Sequence, residues 1–328
     1  KTLVIEEGSD IGGTWYWNRY PGARCDSESH TYGYTFSEKI YKNWTWKEKY
    51  PKQNTILKYL KYVEKKLDLK KDILFNNKII SAKYLERKNL WLIKTNKNKE
   101  LLCKYLICAV GSLSSANIPK IKGLNTYEGK YYHTGRWPKK KVNLKNKVVA
   151  QIGTGSSGIQ VAPTIAKKVK KLVIFQRTPN YSIPARNKKL TKEIINSYLK
   201  NYKKIKNLIK KTPGGHTFNF PARSVFDFNK IERDKIFEKA WIKGSLAFRA
   251  CFGDITKKLN ANKKASNFIK EKILNTVKDK KVAKILTNFD HPFTSKRPTL
   301  NTNYYETFNR DNVELIDLKT NPIIKITK

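Results

Sequence analysis

Residues 153–158, Gly-Thr-Gly-Ser-Ser-Gly, carry GxGxxG spacing between an apolar run at 147–152 and a helical pattern at 159–171. In that setting the spacing reads as a dinucleotide-binding turn. Gly153 permits the tight turn, Gly155 lets backbone approach a pyrophosphate, and Gly158 allows close helix–strand packing. Thr154, Ser156 and Ser157 complete the turn, where the helix N-terminus faces negative phosphate. The following strand, 172–177, ends in Arg177-Thr178, 24 residues after Gly153. A guanidinium and a hydroxyl suit a 2′-phosphate, so the expected cofactor is NADP. The N-terminal strand at 2–7 has the opposite ending, Glu6, which suits an unphosphorylated ribose. Two units with opposite ribose preferences imply two dinucleotides, most simply FAD and NADP. The plain alternatives are a glycine loop without a ligand and an Arg177 that is only solvated.

The secondary structure around these groups follows from hydrophobic period and turn residues. Residues 15–26, WYWNRYPGARCD, have neither helical nor strand period and read as a loop. Residues 52–67 place Ile56, Leu57, Leu60, Val63 and Leu67 on one helical stripe. The stretch 72–110 reads as a small β-meander or hairpin insert returning to a buried strand at 105–110. A β–turn–α–β unit begins near Lys147. From 188 to 286 the pattern is mostly helical, with eight lysines and only Glu193 as acid over 188–210. Residues 231–244 and 264–277 are two further helices, and strands return at 313–318 and 322–326. The fold class is therefore α/β, with two Rossmann-like dinucleotide-binding domains in three layers and a mostly helical insertion in the second. The expected FAD-binding domain is 1–141, with a β insert at about 72–104. The NADP-binding domain takes 142–186 and 293–328, and the insertion 187–292.

The chain has 328 residues, 69 Lys+Arg against 26 Asp+Glu and a formal net charge of +43. Length suggests two domains or three. With 39% hydrophobic and 12% aromatic residues, wholesale disorder is excluded. No apolar run approaches the length of a membrane-spanning helix. Only 11 of the basic residues are Arg, the side chain that reads base edges, so no specific nucleic-acid partner is expected. The cysteines Cys25, Cys103, Cys108 and Cys251 have neither disulfide-scaffold nor metal-ligand spacing, which makes the cytoplasm the default and a metal site unexpected. The chain opens on Lys1 without an initiating methionine and closes on a bare apolar stretch, so it reads as an internal piece of a longer protein.

At 12–29 (GGTWYWNRYPGARCDSES) and 127–138 (YEGKYYHTGRWP) the chain resembles the flavin-dependent Baeyer–Villiger monooxygenases, class B flavoproteins that use FAD and NADPH. The second stretch resembles the family fingerprint FxGxxxHTxxWP, with Tyr127 in place of Phe. GTGSSGIQ (153–160), FQRTPNY (175–181) and residues 291–313 extend the resemblance over essentially the whole chain. It implies that NADPH reduces FAD and that O2 forms a C4a-peroxyflavin. That species inserts one oxygen into a ketone to give an ester or lactone. It further implies Arg297 as the active-site arginine, Asp26 as the carboxylate that orients it, and Lys296 as a contact to the NADP phosphate. His133 takes a conformational role near the linker between the nucleotide domains. Gly12, Gly13, Thr14, Trp15, Trp17, Arg19 and Tyr20 belong to the flavin loop, with Tyr32 close by.

The chain departs from the family pattern in three places. The first FAD glycine motif and the C-terminal return to the FAD domain are missing, which reads as a truncated fragment. Thr294-Ser295 stand where the family commonly has Gly-Thr, which implies a stiffer loop before Arg297. Alternative readings are a related monooxygenase oxidising sulfur or nitrogen, an inactive fragment that keeps only the fold, and a basic scaffold for polyanions. A ketone, O2 and the two cofactors are the expected small-molecule partners of a monomer or weak oligomer.

Overall fold

The computed structural model describes residues 2–212 and 214–328. In chain order its elements begin with β1 (Val4–Ile5), α1 (Thr14–Trp17), α2 (Ser29–Tyr32), α3 (Glu38–Lys42) and α4 (Gln53–Leu67). Then come β2 (Ile73–Leu74), β3 (Ile79–Leu85), β4 (Leu90–Thr95), β5 (Glu100–Cys103), β6 (Val148–Ile152), α5 (Ser156–Ile165), β7 (Lys171–Gln176) and β8 (Ser182–Pro184). The helices α6 (Lys192–Lys200), α7 (Tyr202–Lys211), α8 (Lys230–Lys243), α9 (Leu259–Thr276) and α10 (Lys280–Leu286) follow. The last elements are β9 (Thr299–Asn301), α11 (Tyr304–Thr307) and β10 (Val313–Asp317). No helix among the described residues is long and apolar enough to cross a membrane.

The chain forms two compact units. The first comprises residues 1–19, 53–119 and 131–139; the second comprises 20–52, 120–130 and 140–328.

In the first unit β1 pairs in parallel with β2, and β3, β4 and β5 form the expected antiparallel meander. Helix α4 forms where its period predicted, but its buried face is Ile56, Tyr59 and Val63, while Leu67 is exposed. Tyr59 belongs on that face because it stands three residues after Ile56 and four before Val63. The segment 105–110 is not a strand: Tyr105 and Ile107 are each 84% exposed. An apolar run becomes a buried strand only beside another strand, and none among the described residues pairs with it. The flavin-loop sequence is also less irregular than expected, since Thr14–Trp17 forms one helical turn.

In the second unit β10, β7 and β6 form a parallel sheet in that order, with α5 crossing from β6 to β7. Leu172 and Ile174 of β7 and Ile159, Ala162 and Ile165 of α5 close its core. Helix α5 stops at Ile165, shorter than its sequence period suggests. The Asn312 amide, from the turn before β10, donates to the Ala166 and Val169 carbonyls at 2.9 and 3.1 Å and so satisfies the frayed helix end.

The insertion helices start where their caps dictate. Asn229 and Glu232 form a capping box at α8, Thr191 caps α6, and Asp279 accepts from Lys281 and Val282 at the start of α10. Phe237, Trp241, Phe248, Phe252 and Phe268 pack beneath them as an aromatic core. Helix α9 begins at Leu259, one turn before the expected start. Residues 322–326 are irregular rather than a strand; one backbone bond, from Ile326 N to the Lys122 carbonyl at 2.8 Å, holds them in the second unit.

Candidate active site

The loop 20–26 is fastened to α5 before it presents any chemistry. Gln160 accepts from the Tyr20 hydroxyl at 3.0 Å and from the Arg24 backbone at 3.2 Å, and donates to the Arg24 carbonyl at 3.1 Å. Gly22 lies at φ +85°, and a Cβ there would stand 2.4 Å from both the Gln160 carbonyl oxygen and Thr164 Oγ1. The bend therefore admits only glycine. Arg24 adds an ion pair to Glu48 at 3.1 Å and a bond to the Tyr50 carbonyl at 2.6 Å. Cys25 is buried, which pushes its thiol up to about 12, so it is a packing residue and not a nucleophile.

The loop carrying Arg297 is fastened at both ends. The buried Asn262 amide clamps Phe293, donating to its carbonyl at 2.7 Å and accepting from its backbone N–H at 2.9 Å. After Arg297, its carbonyl accepts from Asn180 at 3.0 Å, and Thr299 enters β9 beside β8. Thr294 sits between these anchors at φ +74°, a left-handed conformation costly for a β-branched residue. Replacing Thr294 by Gly is expected to stabilise the protein by about 0.5–1 kcal/mol, the relieved strain less glycine's larger chain entropy. A urea midpoint that stays put or falls would show that the loop tolerates this conformation without strain.

The two loops meet in a fork. Arg297 Nε and Nη2 donate to the two carboxylate oxygens of Asp26 at 2.8 and 3.0 Å. Both side chains are partly open to solvent, and the Asp26 hydrogen bond holds the guanidinium above its ordinary pKa. Beside the pair runs a cleft lined by Asp26, Glu28, Tyr50, His216, Phe218 and Ser245. His216 stacks on Phe218, and the Arg249 guanidinium lies 5.5 Å above that ring. Burial first, then the Arg249 and Arg297 charges, push His216 below its ordinary pKa. The site thus sets an ion-paired guanidinium beside a cleft lined by the carboxylates Asp26 and Glu28, with Arg249 over its Phe218 wall. It can hold an anionic oxygen and orient a polar carbonyl.

The glycine turn has a shape suited to a pyrophosphate. Gly153 has φ +101° and donates to the Phe175 carbonyl at 2.9 Å. A Cβ at Gly155 would meet nothing within 4 Å, whereas one at Gly158 would stand 2.4 Å from the Gly153 carbonyl. The N-cap is Gly155 itself, with no side-chain cap, which leaves the first N–H groups of Ser156, Ser157 and Gly158 for an anion. Thr154 donates to the Thr178 carbonyl at 3.4 Å, joining the turn to the end of β7, where Arg177 is exposed. Lys296 faces Asp290 at 3.9 Å.

The first unit holds the remaining expected residues except Tyr32. Glu6 ends β1 and accepts from the Gly8 backbone at 2.6 Å. Gly12 and Gly13 both have positive φ, and Gly13, with Thr14, faces open space. Trp15 takes a bond from Gln53 on its carbonyl, and Arg136 lies 4.2 Å over the Trp17 ring. Arg19 packs over Tyr16 with its buried Nε lacking any hydrogen-bond partner among the described residues. That orphaned donor and the open glycine face fit an anionic, flat cofactor such as FAD. Tyr32 ends α2 in the second unit, half-buried. His133 is half-buried, and its Nδ1 accepts from Gly135 at 3.1 Å. The fingerprint 127–138 passes from the second unit to the first between Lys130 and Tyr131.

Gln160, Asn262, Arg249 and His216 were not singled out by sequence, although Gln160 closes the quoted stretch 153–160. Gln160 and Asn262 act across long chain separations, 140 residues for Tyr20 to Gln160 and 31 for Asn262 to Phe293, and spacing cannot register that.

The profile of the pyridine nucleotide-disulphide oxidoreductase family matches residues 1–220. The chain is 38% identical to the 2-oxo-Δ3-4,5,5-trimethylcyclopentenylacetyl-CoA monooxygenase of Pseudomonas putida, covering 100% of this chain and 61% of that protein. It is 40% identical to the cyclohexanone 1,2-monooxygenase of an Acinetobacter species, covering 100% of this chain and 60% of that one. A crystal structure of OTEMO in complex with FAD and NADP superposes with a TM-score of 0.97 at 38% identity, over 100% of this chain and 63% of its own. The chain spans about three fifths of the length of the curated relatives it matches. Against the expectation of a remnant, the likeness extends over both units of the chain. The matches run unbroken along the chain, which has the class B flavoprotein monooxygenase fold of two Rossmann-like α/β dinucleotide-binding domains and a helical insertion.

Proposed function

Because the chain belongs to the pyridine nucleotide-disulphide oxidoreductase family, we propose that its protein is a Baeyer–Villiger monooxygenase. It converts a ketone, O2, NADPH and a proton into an ester or lactone, NADP⁺ and water. The observation that carries this reading is the bidentate Asp26–Arg297 fork beside a polar cleft. Its cofactors are FAD and NADP, and together they supply the electrons and the activation of O2.

The chain's own residues divide the remaining work. Gly153, Thr154, Gly155, Ser156, Ser157 and Gly158 bind the NADP pyrophosphate, and Arg177, Thr178 and Lys296 its 2′-phosphate. Glu6, Gly12, Gly13, Thr14, Trp15, Trp17, Arg19, Tyr20 and Tyr32 hold FAD. Arg297 stabilises the anionic oxygen that develops next to the ketone carbonyl, and Asp26 fixes the direction of the fork. His133 acts at the passage of the fingerprint from one unit to the other. The FAD domain is 1–141, the NADP domain 142–186 with 293–328, and the insertion 187–292. The free thiols of Cys25, Cys103, Cys108 and Cys251 support a reducing compartment, the cytoplasm. The working form is a monomer or weak oligomer, without a specific nucleic-acid partner.

The decisive experiment records the visible spectrum of the desalted protein, then NADPH oxidation and products with a ketone and with a sulfide. Bound flavin and an ester product support the reading. Sulfoxide formation with no ester from any ketone points to heteroatom oxidation, and a protein that takes up no flavin even with excess FAD rules out both.

A further inference from the structure

At the carboxyl end of the parallel sheet of the second unit, one carboxylate gathers four donors. Asp290 accepts from Thr178 Oγ1 at 3.3 Å and from His291 Nδ1 at 2.7 Å, and faces Lys296 at 3.9 Å and Lys319 at 3.8 Å. Strand geometry explains the convergence. β10 runs parallel to β7 with Asp317 opposite Gln176, so Lys319 emerges beside Arg177 and Thr178. The Leu318 N–H bonds the Gln176 carbonyl at 2.8 Å and locks that register. The side chain of Gln176 donates to the Ile285 carbonyl at 3.2 Å, tying the end of α10, and hence the approach to Asp290, to β7.

Ligands of such sheets bind outside the carboxyl ends of their strands, and the residue ending the second strand meets the adenosine ribose. In this chain no acid stands there in sequence. The fold nevertheless delivers one from 112 residues further along, in contact with Thr178. An uncompensated acid at this place would repel a 2′-phosphate. Here the acid is exposed and surrounded by donors that match a phosphate at least as well as a carboxylate.

We infer that Asp290 is a resident counter-ion in the 2′-phosphate site, displaced when the phosphate binds, and that Lys319 is a further residue that selects the phosphorylated cofactor. The inference rests on the NADP reading above. In the free protein Asp290 keeps Lys296 and Lys319 converged; on binding, the phosphate takes over its donors. Discrimination is then the difference between a dianion and a monoanion in the same cationic ring. Because Lys296 precedes Arg297, the exchange reaches the backbone next to the Asp26 fork.

The test is equilibrium binding of 2′,5′-ADP and 5′-ADP to the intact protein, its Asp290→Asn form and its Lys319→Gln form. Both positions are exposed, so the substitutions leave the core untouched. Removing the competing charge is expected to tighten 2′,5′-ADP about tenfold at low salt, and losing Lys319 to weaken it about fivefold. Neither change should move 5′-ADP, and both effects should shrink at high salt. If the parent prefers 2′,5′-ADP yet Asp290→Asn binds it no better, or Lys319→Gln no worse, the inference fails and the NADP reading stands. If the parent binds both nucleotides equally, the NADP preference itself is wrong.

Discussion

Ketone oxidation is expected to fall by about a thousandfold when Arg297 is replaced by alanine, the range found for removal of a donor aimed at a developing anion. Both Asp26 oxygens are engaged by Arg297, so the guanidinium is aimed by a rigid partner before any substrate arrives. Lysine cannot restore it, because an ammonium offers a point charge where the geometry uses a planar pair of N–H groups. Arg297→Lys should therefore remain at least about a hundredfold impaired. Asp26→Asn probes the other half. It keeps the shape of the side chain but replaces one acceptor by a donor facing a guanidinium, so orientation should be lost with the charge. The pattern to look for is a fall in kcat with little change in KM, with flavin and 2′,5′-ADP binding intact. An Arg297→Ala protein that keeps a tenth of its activity would remove the fork from the chemistry and leave it a structural pair. Partial exposure of both side chains supports the active reading. A pair open to solvent contributes little to stability, so it is not needed as a staple.

How much of this was legible beforehand depends on the distance over which each feature is specified. The β–turn–α–β unit is local. Within it Gly153 has positive φ, Gly155 is open and Gly158 is in close contact. Apolar runs are ambiguous by comparison. Residues 148–152 and 105–110 look alike in sequence, yet β6 pairs with β7 while 105–110 pairs with no strand among the described residues. Strand formation is a property of the neighbour as much as of the run. The elements that aim the site were the least legible. Asn262 grips Phe293 across 31 residues, and Asp290 reaches Thr178 across 112. A buried asparagine and an exposed aspartate carry no signature of their own, and only the fold gives them partners.

Two glycine substitutions should have opposite consequences, and together they separate folding from cofactor binding. Gly22→Ala meets the Gln160 carbonyl oxygen at 2.4 Å, a backbone atom within α5 that cannot swing aside, and does so at φ +85°. Overpacking and the left-handed conformation together should cost about 2–4 kcal/mol. The loop can escape only by leaving α5, which breaks the Tyr20 and Arg24 bonds to Gln160 and carries Asp26 away from Arg297. A lower urea midpoint and lost activity should therefore appear together. Gly155→Ala meets nothing within 4 Å and needs no unusual backbone angle, so the midpoint should hardly move. The same empty space is where the pyrophosphate has to lie against the backbone, and a methyl group there should weaken 2′,5′-ADP binding at least about tenfold through overpacking. If Gly155→Ala binds nucleotide normally, the turn is not the phosphate cradle. If Gly22→Ala is as stable as the parent, the loop bearing Asp26 is not held against α5 as described. The Gly155 loss would be chemical and the Gly22 loss mechanical, although both residues face the same helix.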